Sequence, residues 1–465
     1  MVDERIAVIG GGITGLAAAR RLTIELGLDT VVFEADPRLG GRIDSSTFAS
    51  VEHLDAAADA FLARVPDAVA LAQAVGLGDD LVSPEPVGAA VWLDGLHPIP
   101  EGLMLGLPGE IAPLLKSGLL SWRGKARAGL EPLLPRTSTE PDSVGEFVRA
   151  RFGDEVHERL VDSLVGSIYA TDTDSFSLAE VPQLAALANG SRSVLLCARR
   201  SRARSGASPA GTATAAASPI FAAPRGGQRA LIDATATAIR AAGGEIRTGT
   251  SVSTLERDKR WVVDGEHFDA VLFATPATAT GRVLDAAGGS LGDEAAALLG
   301  QAETADVVMV TLHLDASRWP ERLTGLSGYL VPKPVQKMVT AASFGSQKWA
   351  HWRPPGGGVI LRVSLGRDGL PVLHLSDEEI LETTLTEIAQ HLGIEAVPLE
   401  TRITRWPGAF AQYRPHHAAW VGAVERALPV GVYVGGASYR GIGIPACVRQ
   451  GNEMAGRASK FLTTL

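Results

Sequence analysis

The chain has 465 residues, 46% of them hydrophobic, with 52 glycines, 27 prolines and a formal net charge of −9, a balance that suits a soluble, loop-rich α/β enzyme of two or three domains. Such an acidic chain carries no global footprint for nucleic acid or an anionic membrane, and no apolar run approaches the ~18 residues of a spanning helix. Cys197 and Cys447 are the only cysteines, which excludes a disulfide framework and a thiol metal site and leads to the expectation of a reducing cytoplasm.

The N-terminus runs straight into a β-rich segment, Ile6-Ala-Val-Ile9, so no signal peptide is expected. Gly10-Gly11-Gly12-Ile13-Thr14-Gly15 follows and opens an alanine-rich helix. In a Gly-x-Gly-x-x-Gly turn the first glycine permits the tight bend and the second lets backbone approach a pyrophosphate. The third lets helix and strand pack closely, with the phosphates on the helix N-terminus. Glu34 lies nineteen residues beyond Gly15, at the end of a second apolar strand, Val31-Val-Phe33. A carboxylate there accepts ribose hydroxyls and repels a 2′-phosphate. The first 80 residues are therefore read as the opening part of a doubly wound dinucleotide-binding domain.

From Leu96 the rhythm changes. Apolar residues recur at helical spacing, as in Glu155-Val-His-Glu-Arg-Leu-Val-Asp-Ser-Leu-Val-Gly166, so 96–195 is read as a mainly helical insertion punctuated by prolines. Residues 189–219 form an Ala/Ser/Gly/Thr/Arg tract read as a flexible loop, in which Arg192, Arg199, Arg200, Arg202 and Arg204 add local positive potential. Residues 220–290 return to the cofactor sheet through a helix, a strand around Gly249-Thr-Ser-Val252-Ser253, a polar hairpin and the strand Asp269-Ala-Val-Leu-Phe-Ala-Thr-Pro276. Alternating runs over 300–420, such as Gly358-Val-Ile-Leu-Arg-Val-Ser-Leu365, predict antiparallel strands beside one long helix from Asp377 to His391. Residues 421–465 supply a last strand, Gly431-Val-Tyr-Val-Gly435-Gly436, then a glycine-rich turn and a helix. Gly441-Ile442-Gly443-Ile444-Pro445 offers bare backbone N–H groups at that helix start, a second surface for a cofactor. The cofactor domain is thus assembled from three separated pieces.

Gly40-Gly41-Arg42 after Glu34 resembles the amine oxidase and protoporphyrinogen oxidase flavoprotein superfamily. Pro98-Ile-Pro-Glu-Gly-Leu-Met-Leu-Gly-Leu-Pro108, Gly328-Tyr-Leu-Val-Pro332, Ser343-Phe-Gly-Ser-Gln-Lys348-Trp349 and Tyr439-Arg-Gly-Ile-Gly-Ile-Pro445-Ala-Cys-Val-Arg-Gln-Gly451 resemble its porphyrinogen oxidase branch. The resemblance implies an FAD-binding Rossmann-like domain, a mixed antiparallel-sheet substrate domain and a helical insertion. It implies FAD contacts from Gly10 to Gly15, from Glu34 with Ala35, and from Gly41 with Arg42. It further implies that the Val252 backbone meets the adenine, that Trp406 stands near the flavin, and that Gly436, Ile442, Gly443 and Ile444 complete the set. Ala57-Ala58-Asp59-Ala60 stands where the family usually has Gly-Pro-Asp-Ser, and alanine lacks the positive-φ freedom of glycine, so backbone contact is expected there. Ala411-Gln412-Tyr413-Arg-Pro-His416 is a second departure, with His417 matching the usual histidine. Surface-loop positions are expected for both histidines.

The chemistry implied is hydride transfer from a porphyrinogen methylene bridge to flavin N5, with dioxygen as final acceptor and hydrogen peroxide as product. No catalytic side chain or metal is needed. Arg64 resembles a basic position facing the substrate propionates. Heavy Ala, Gly and Arg usage with scarce lysine suggests a high-GC bacterium, and for an acidic chain of such a host the resemblance implies coproporphyrinogen III as substrate, with protoporphyrinogen IX as the alternative and an amine oxidase or carotenoid desaturase as a remoter one. A haem-pathway partner enzyme and peripheral membrane contact through the helical insertion remain open alternatives.

Overall fold

A computed structural model describes residues 4–204, 219–286 and 292–464. Strand Arg5–Ile9 sits at the centre of a five-stranded parallel sheet, between Asp29–Phe33 and Ala270–Phe273, with Glu245–Arg247 and Val432–Val434 on the edges. Its residues alternate between two cores. Ile6 and Val8 pack with helices Ile13–Arg20, Gln228–Ala241 and Ile444–Leu462. Ala7 and Ile9 face a three-stranded hairpin sheet and helices Ala277–Ala286, Asp293–Gly300 and His417–Ala427. Burial on both faces is why this strand reads as an unbroken apolar run.

One edge strand of this sheet, Glu245–Arg247, is three residues long. The strand expected around Gly249–Ser253 is instead a loop, because Gly249 donates to Asp36 O at 2.9 Å and Thr250 to Glu34 O at 2.8 Å, which draws the chain across the strand ends rather than along them. Val252 is buried there without being a strand residue.

A seven-stranded sheet forms the second layer, in the order Pro398–Ala411, Thr304–Leu314, Val359–Leu365, Val339–Phe344, Leu326–Leu330, Gly88–Trp92, Leu96–Pro98. Neighbours are antiparallel except that Gly88–Trp92 runs parallel to Leu326–Leu330. Two strands of this sheet therefore come from 88–98, outside the 300–420 range, and Leu96 belongs to a strand rather than to the helical insertion. Helix Asp377–Leu392 packs Ile380, Ile388 and Leu392 on the sheet. It begins in a capping box, with Ser376 Oγ accepting from the Glu379 amide and the Glu379 carboxylate accepting from the Ser376 amide, and it ends at Gly393 with φ 61°.

The helical insertion has its own core, in which Val144, Phe147, Val148, Leu160, Val161 and Val165 are buried. It is tied to the sheet domain by Arg367, whose guanidinium binds both carboxylate oxygens of buried Asp162 at 2.8 and 2.9 Å. The 189–219 tract is not a continuous loop. Helices Pro182–Gly190 and Val194–Arg204 occupy its first part, and 205–218 lies outside the described residues. Val194, Leu195 and Ala198 are buried in the insertion core, while Arg199 and Arg200 are exposed.

Candidate cofactor-binding site

The glycine turn after the central strand is built without slack. Gly10 has φ 110°, and a Cβ there would lie 2.9 Å from Ala274 O. A Cβ on Gly15 would lie 1.9 Å from Gly10 O, so the third glycine sets the strand-to-helix distance. Gly12 is different, because a Cβ there would meet nothing within 4 Å. It is the N-cap of helix Ile13–Arg20 and offers no side-chain cap, so the first-turn amides of Ile13, Thr14 and Gly15 have no hydrogen-bond acceptor among the described residues. Gly41 closes the other side, its nearest prospective Cβ neighbour being Gly12 Cα at 3.8 Å.

Glu34 is half-buried at the end of strand Asp29–Phe33. Its carboxylate accepts from the Gly11 amide at 2.7 Å and from the Asp36 amide at 2.9 Å, which aims it beside the glycine turn. The loop carrying Val252 bonds to Glu34 and Asp36, and no hydrogen bond from the Val252 backbone is formed within the described residues. Ala35 is exposed on the same corner.

The C-terminal pieces arrive beside this turn. Gly451 packs helix Ile444–Leu462 against the first helix so closely that a Cβ would sit 2.3 Å from Thr14 O. Gly436, φ 122°, faces Thr14 Oγ1 at 3.5 Å from a prospective Cβ. Gly443 is the exposed N-cap of that last helix, again with no side-chain cap, and Pro445 occupies its first turn. Ile442 is half-buried and Ile444 buried at the same corner. Two helices from opposite ends of the chain thus both begin without a side-chain cap, and the first turn of one packs against the middle of the other.

The segment 56–60 is held from behind. Trp406 Nε1 donates to Ala56 O at 3.3 Å and the Arg362 guanidinium to Ala57 O. The carboxylate of Asp59 accepts from Lys348 Nζ at 2.8 Å and Trp349 Nε1 at 3.1 Å, with Arg362 at 3.8 Å. Burial alone would raise its pKa, but Lys348 and then Arg362 outweigh it and hold Asp59 at about 2. Its side chain is committed inside the protein, which leaves backbone and the small Ala57, Ala58 and Ala60 side chains to face a ligand. Arg42 donates to Gly408 O and joins the Gly40–Arg42 loop to the seven-stranded sheet. Arg64 is exposed just before helix Pro66–Ala74 and forms no ion pair within the described residues.

Several residues that shape the site have no role assigned from the sequence: Arg362, Lys348, Gln450 and the buried Asp55. Asp55 accepts from Ser45 Oγ at 2.5 Å and from the Gln228 amide at 2.8 Å, while its Oδ2 is buried without a partner. Burial dominates these bonds and pushes its pKa up to about 7. The folded carboxyl thus binds its proton more tightly than the unfolded one. Its stabilising contribution is complete below the ordinary aspartate pKa and is lost as pH rises through about 7. Between pH 6 and 8.5 the wild type should lose roughly 1 kcal/mol relative to Asp55→Asn, which keeps an oxygen acceptor without the charge. Denaturant melts at both pH values test this, and parallel slopes for the two proteins would refute it.

His416 is exposed, as expected, but His417 is buried, because its imidazole stacks on Tyr413 with ring centroids 4.1 Å apart and bonds Tyr439 O at 2.8 Å. The surface-loop expectation fails for His417.

These residues fit an extended dinucleotide. The open space before Gly12 suits a pyrophosphate against the first helix, Glu34 suits ribose hydroxyls, and the Gly436–Ile444 corner extends the cradle beyond one nucleotide half. The description of the flavin containing amine oxidoreductase family matches residues 13–459. A coproporphyrinogen III oxidase of Bacillus subtilis (strain 168) is 31% identical over 99% of this chain and 98% of its own length. One from Propionibacterium freudenreichii subsp. freudenreichii is 32% identical over 97% of this chain and 90% of its own. Among solved structures, a protein from Exiguobacterium sp. 255-15 assigned as a protoporphyrinogen oxidase superposes with a TM-score of 0.85 at 27% identity, over 99% of both chains.

Proposed function

This chain belongs to the flavin containing amine oxidoreductase family, and from that membership we propose that it is an FAD-dependent oxidase of haem biosynthesis that converts coproporphyrinogen III to coproporphyrin III. The observation that carries the reading is the packing of two helices that begin uncapped, at Gly12 and at Gly443, in a chain that matches coproporphyrinogen III oxidases end to end. Bound FAD supplies a two-electron acceptor next to the substrate. In the whole reaction six electrons and six protons leave the macrocycle, and three dioxygen molecules take them up as three molecules of hydrogen peroxide.

The chain's own residues bind and orient. The amides of Ile13, Thr14 and Gly15 hold the pyrophosphate, Glu34 the ribose hydroxyls and the Val252 backbone the adenine edge. Gly41, Arg42, the 57–60 backbone, Trp406, Gly436, Ile442, Gly443 and Ile444 line the remainder. Arg64, exposed and without an ion pair among the described residues, attracts the propionates of the substrate at the mouth. No described helix is long and apolar enough to cross a membrane.

Protoporphyrinogen IX is the second reading, favoured by the Exiguobacterium structure. Anaerobically prepared coproporphyrinogen III and protoporphyrinogen IX, supplied separately and followed by porphyrin fluorescence, should show faster turnover of the former. The reverse order would transfer the assignment to protoporphyrinogen IX, and no fluorescence with either would end it. In the same assay Arg64→Ala should raise KM roughly threefold for the tetracarboxylate, with less effect on the dicarboxylate and an unchanged kcat.

A further inference from the structure

The turn from Gly436 to Gly441 makes only one backbone bond of its own, Tyr439 N–H to Gly436 O at 3.1 Å. Three buried side chains bind six more of its backbone groups. The Tyr413 hydroxyl donates to Ala437 O at 2.6 Å and accepts from the Gly441 amide at 3.0 Å, bridging the two ends of the turn. Gln450 Oε1 accepts from the Gly436 and Arg440 amides, both at 3.2 Å, and its Nε2 donates to Gly441 O at 3.4 Å and Ala446 O at 3.2 Å. His417 holds Tyr439 O, and because a carbonyl only accepts, its Nε2 carries the hydrogen. Burial pushes the His417 pKa down to about 4, so this neutral form persists across the working range.

Tyr413 also reaches the helical insertion. Its carbonyl accepts from the Ser177 amide at 2.7 Å, and its ring stacks on Phe176 with centroids 5.8 Å apart and planes at 18°. Phe176 in turn contacts Tyr169 at 4.7 Å. One residue, two positions beyond the end of strand Pro398–Ala411, thus touches both the helical insertion and the C-terminal glycine turn.

We propose that Tyr413, with His417 and Gln450, positions the flavin-facing turn Gly436–Gly441, and that the Phe176 stack couples that position to the helical insertion. The inference rests on the FAD reading above. None of the three side chains is a catalytic residue. Each fixes backbone that contacts the cofactor, and a preorganised turn binds more tightly than one that orders on binding.

Tyr413→Phe keeps the ring and deletes both hydroxyl bonds. Titration of the apoprotein with FAD, followed by flavin fluorescence, should show Kd raised roughly tenfold, with altered fine structure of the bound flavin absorption band. Tyr329→Phe is the control, because the Tyr329 hydroxyl is equally buried but pairs with His391 Nδ1 at 3.1 Å in a different core. It should lower the melting temperature and leave Kd and the flavin band alone. If Tyr413→Phe behaves like this control, the positioning role is refuted. Should Tyr413→Phe fail to fold, Gln450→Glu keeps the acceptor oxygen and removes the donor, and an unchanged Kd and band there would overturn the proposal. Phe176→Leu should raise Kd roughly threefold, and no change would refute the coupling. A wild type that takes up no FAD would sink the functional reading itself, a separate outcome from variants that match a wild type that binds.

Discussion

Gly12→Ala should fold at least as well as the wild type and yet lose FAD, whereas Gly15→Ala should lose both. The two glycines share one turn, three residues apart, but face opposite ways. Gly12 has φ −73° and ψ 175°, angles open to any L-residue, and its prospective Cβ meets nothing within 4 Å. Alanine there narrows the unfolded ensemble and stabilises by roughly 0.5 kcal/mol. The added methyl occupies the space where the pyrophosphate must approach the first-turn amides, so FAD affinity should fall on the order of a hundredfold. At Gly15 the methyl points inward, 1.9 Å from Gly10 O, and Gly10 is itself pinned against Ala274 O. Helix and strand must separate, at a cost of about 3 kcal/mol for overpacking, and the helix N-terminus moves with them. Melting of the two apoproteins and their FAD titrations separate the effects. A destabilised Gly12→Ala, or a Gly15→Ala that holds FAD normally, would overturn this assignment of roles.

Both glycines were legible because their spacing encodes geometry at short range. The same holds for the central strand, whose two-sided burial leaves an uninterrupted apolar run, and for helix Asp377–Leu392, which carries its own capping box. Legibility failed where the deciding partner lies far along the chain. The segment around Val252 has strand-like composition, but its register is set by Glu34 and Asp36, more than two hundred residues earlier in the sequence. Strand Gly88–Trp92 joins the rest of its sheet by pairing with Leu326–Leu330, which is equally remote. Backbone contact is the expectation at Asp59, but nothing in its neighbourhood of the sequence shows that Lys348, Trp349 and Arg362 claim its carboxylate from a different layer. His417 sits in a polar stretch that reads as surface, and only the stack on Tyr413 and the carbonyl of Tyr439 take it inside. Tyr413 and Gln450 bear no spacing signal at all, because what they satisfy is the backbone of a turn.

The helix Val194–Arg204 is the clearest case, and it leads to the largest expected loss of stability. Its composition reads as low-complexity coil, but its first turn is capped from 63 residues away. The Glu131 carboxylate accepts from the Val194 amide at 2.8 Å, the Leu195 amide at 3.3 Å and Ser193 Oγ at 2.6 Å. Glu131 is fully buried, and its counter-charge is Arg151, 1% exposed. The Arg151 Nε donates to Glu131 Oε1 at 2.8 Å, and the same guanidinium reaches Pro135 O at 2.6 Å and Arg192 O at 2.7 Å. Arg151→Met would strip the counter-charge and leave a buried carboxylate with neutral partners only, a loss of about 3–5 kcal/mol. Domains of this kind hold only about 5–15 kcal/mol in total, so the insertion should open locally even where the chain stays folded. Trypsin should then cut at Arg199 and Arg200, exposed on that helix, well before the rest of the protein. The double variant Glu131→Gln, Arg151→Met should regain part of the loss, because no unpaired charge remains inside, though Pro135 O and Arg192 O still lack their donor. Urea melts of the two variants, read beside the cleavage rates, decide the matter. A single variant as stable as the wild type, or a double variant less stable than the single, would show that the pair does not hold the helix through its charge.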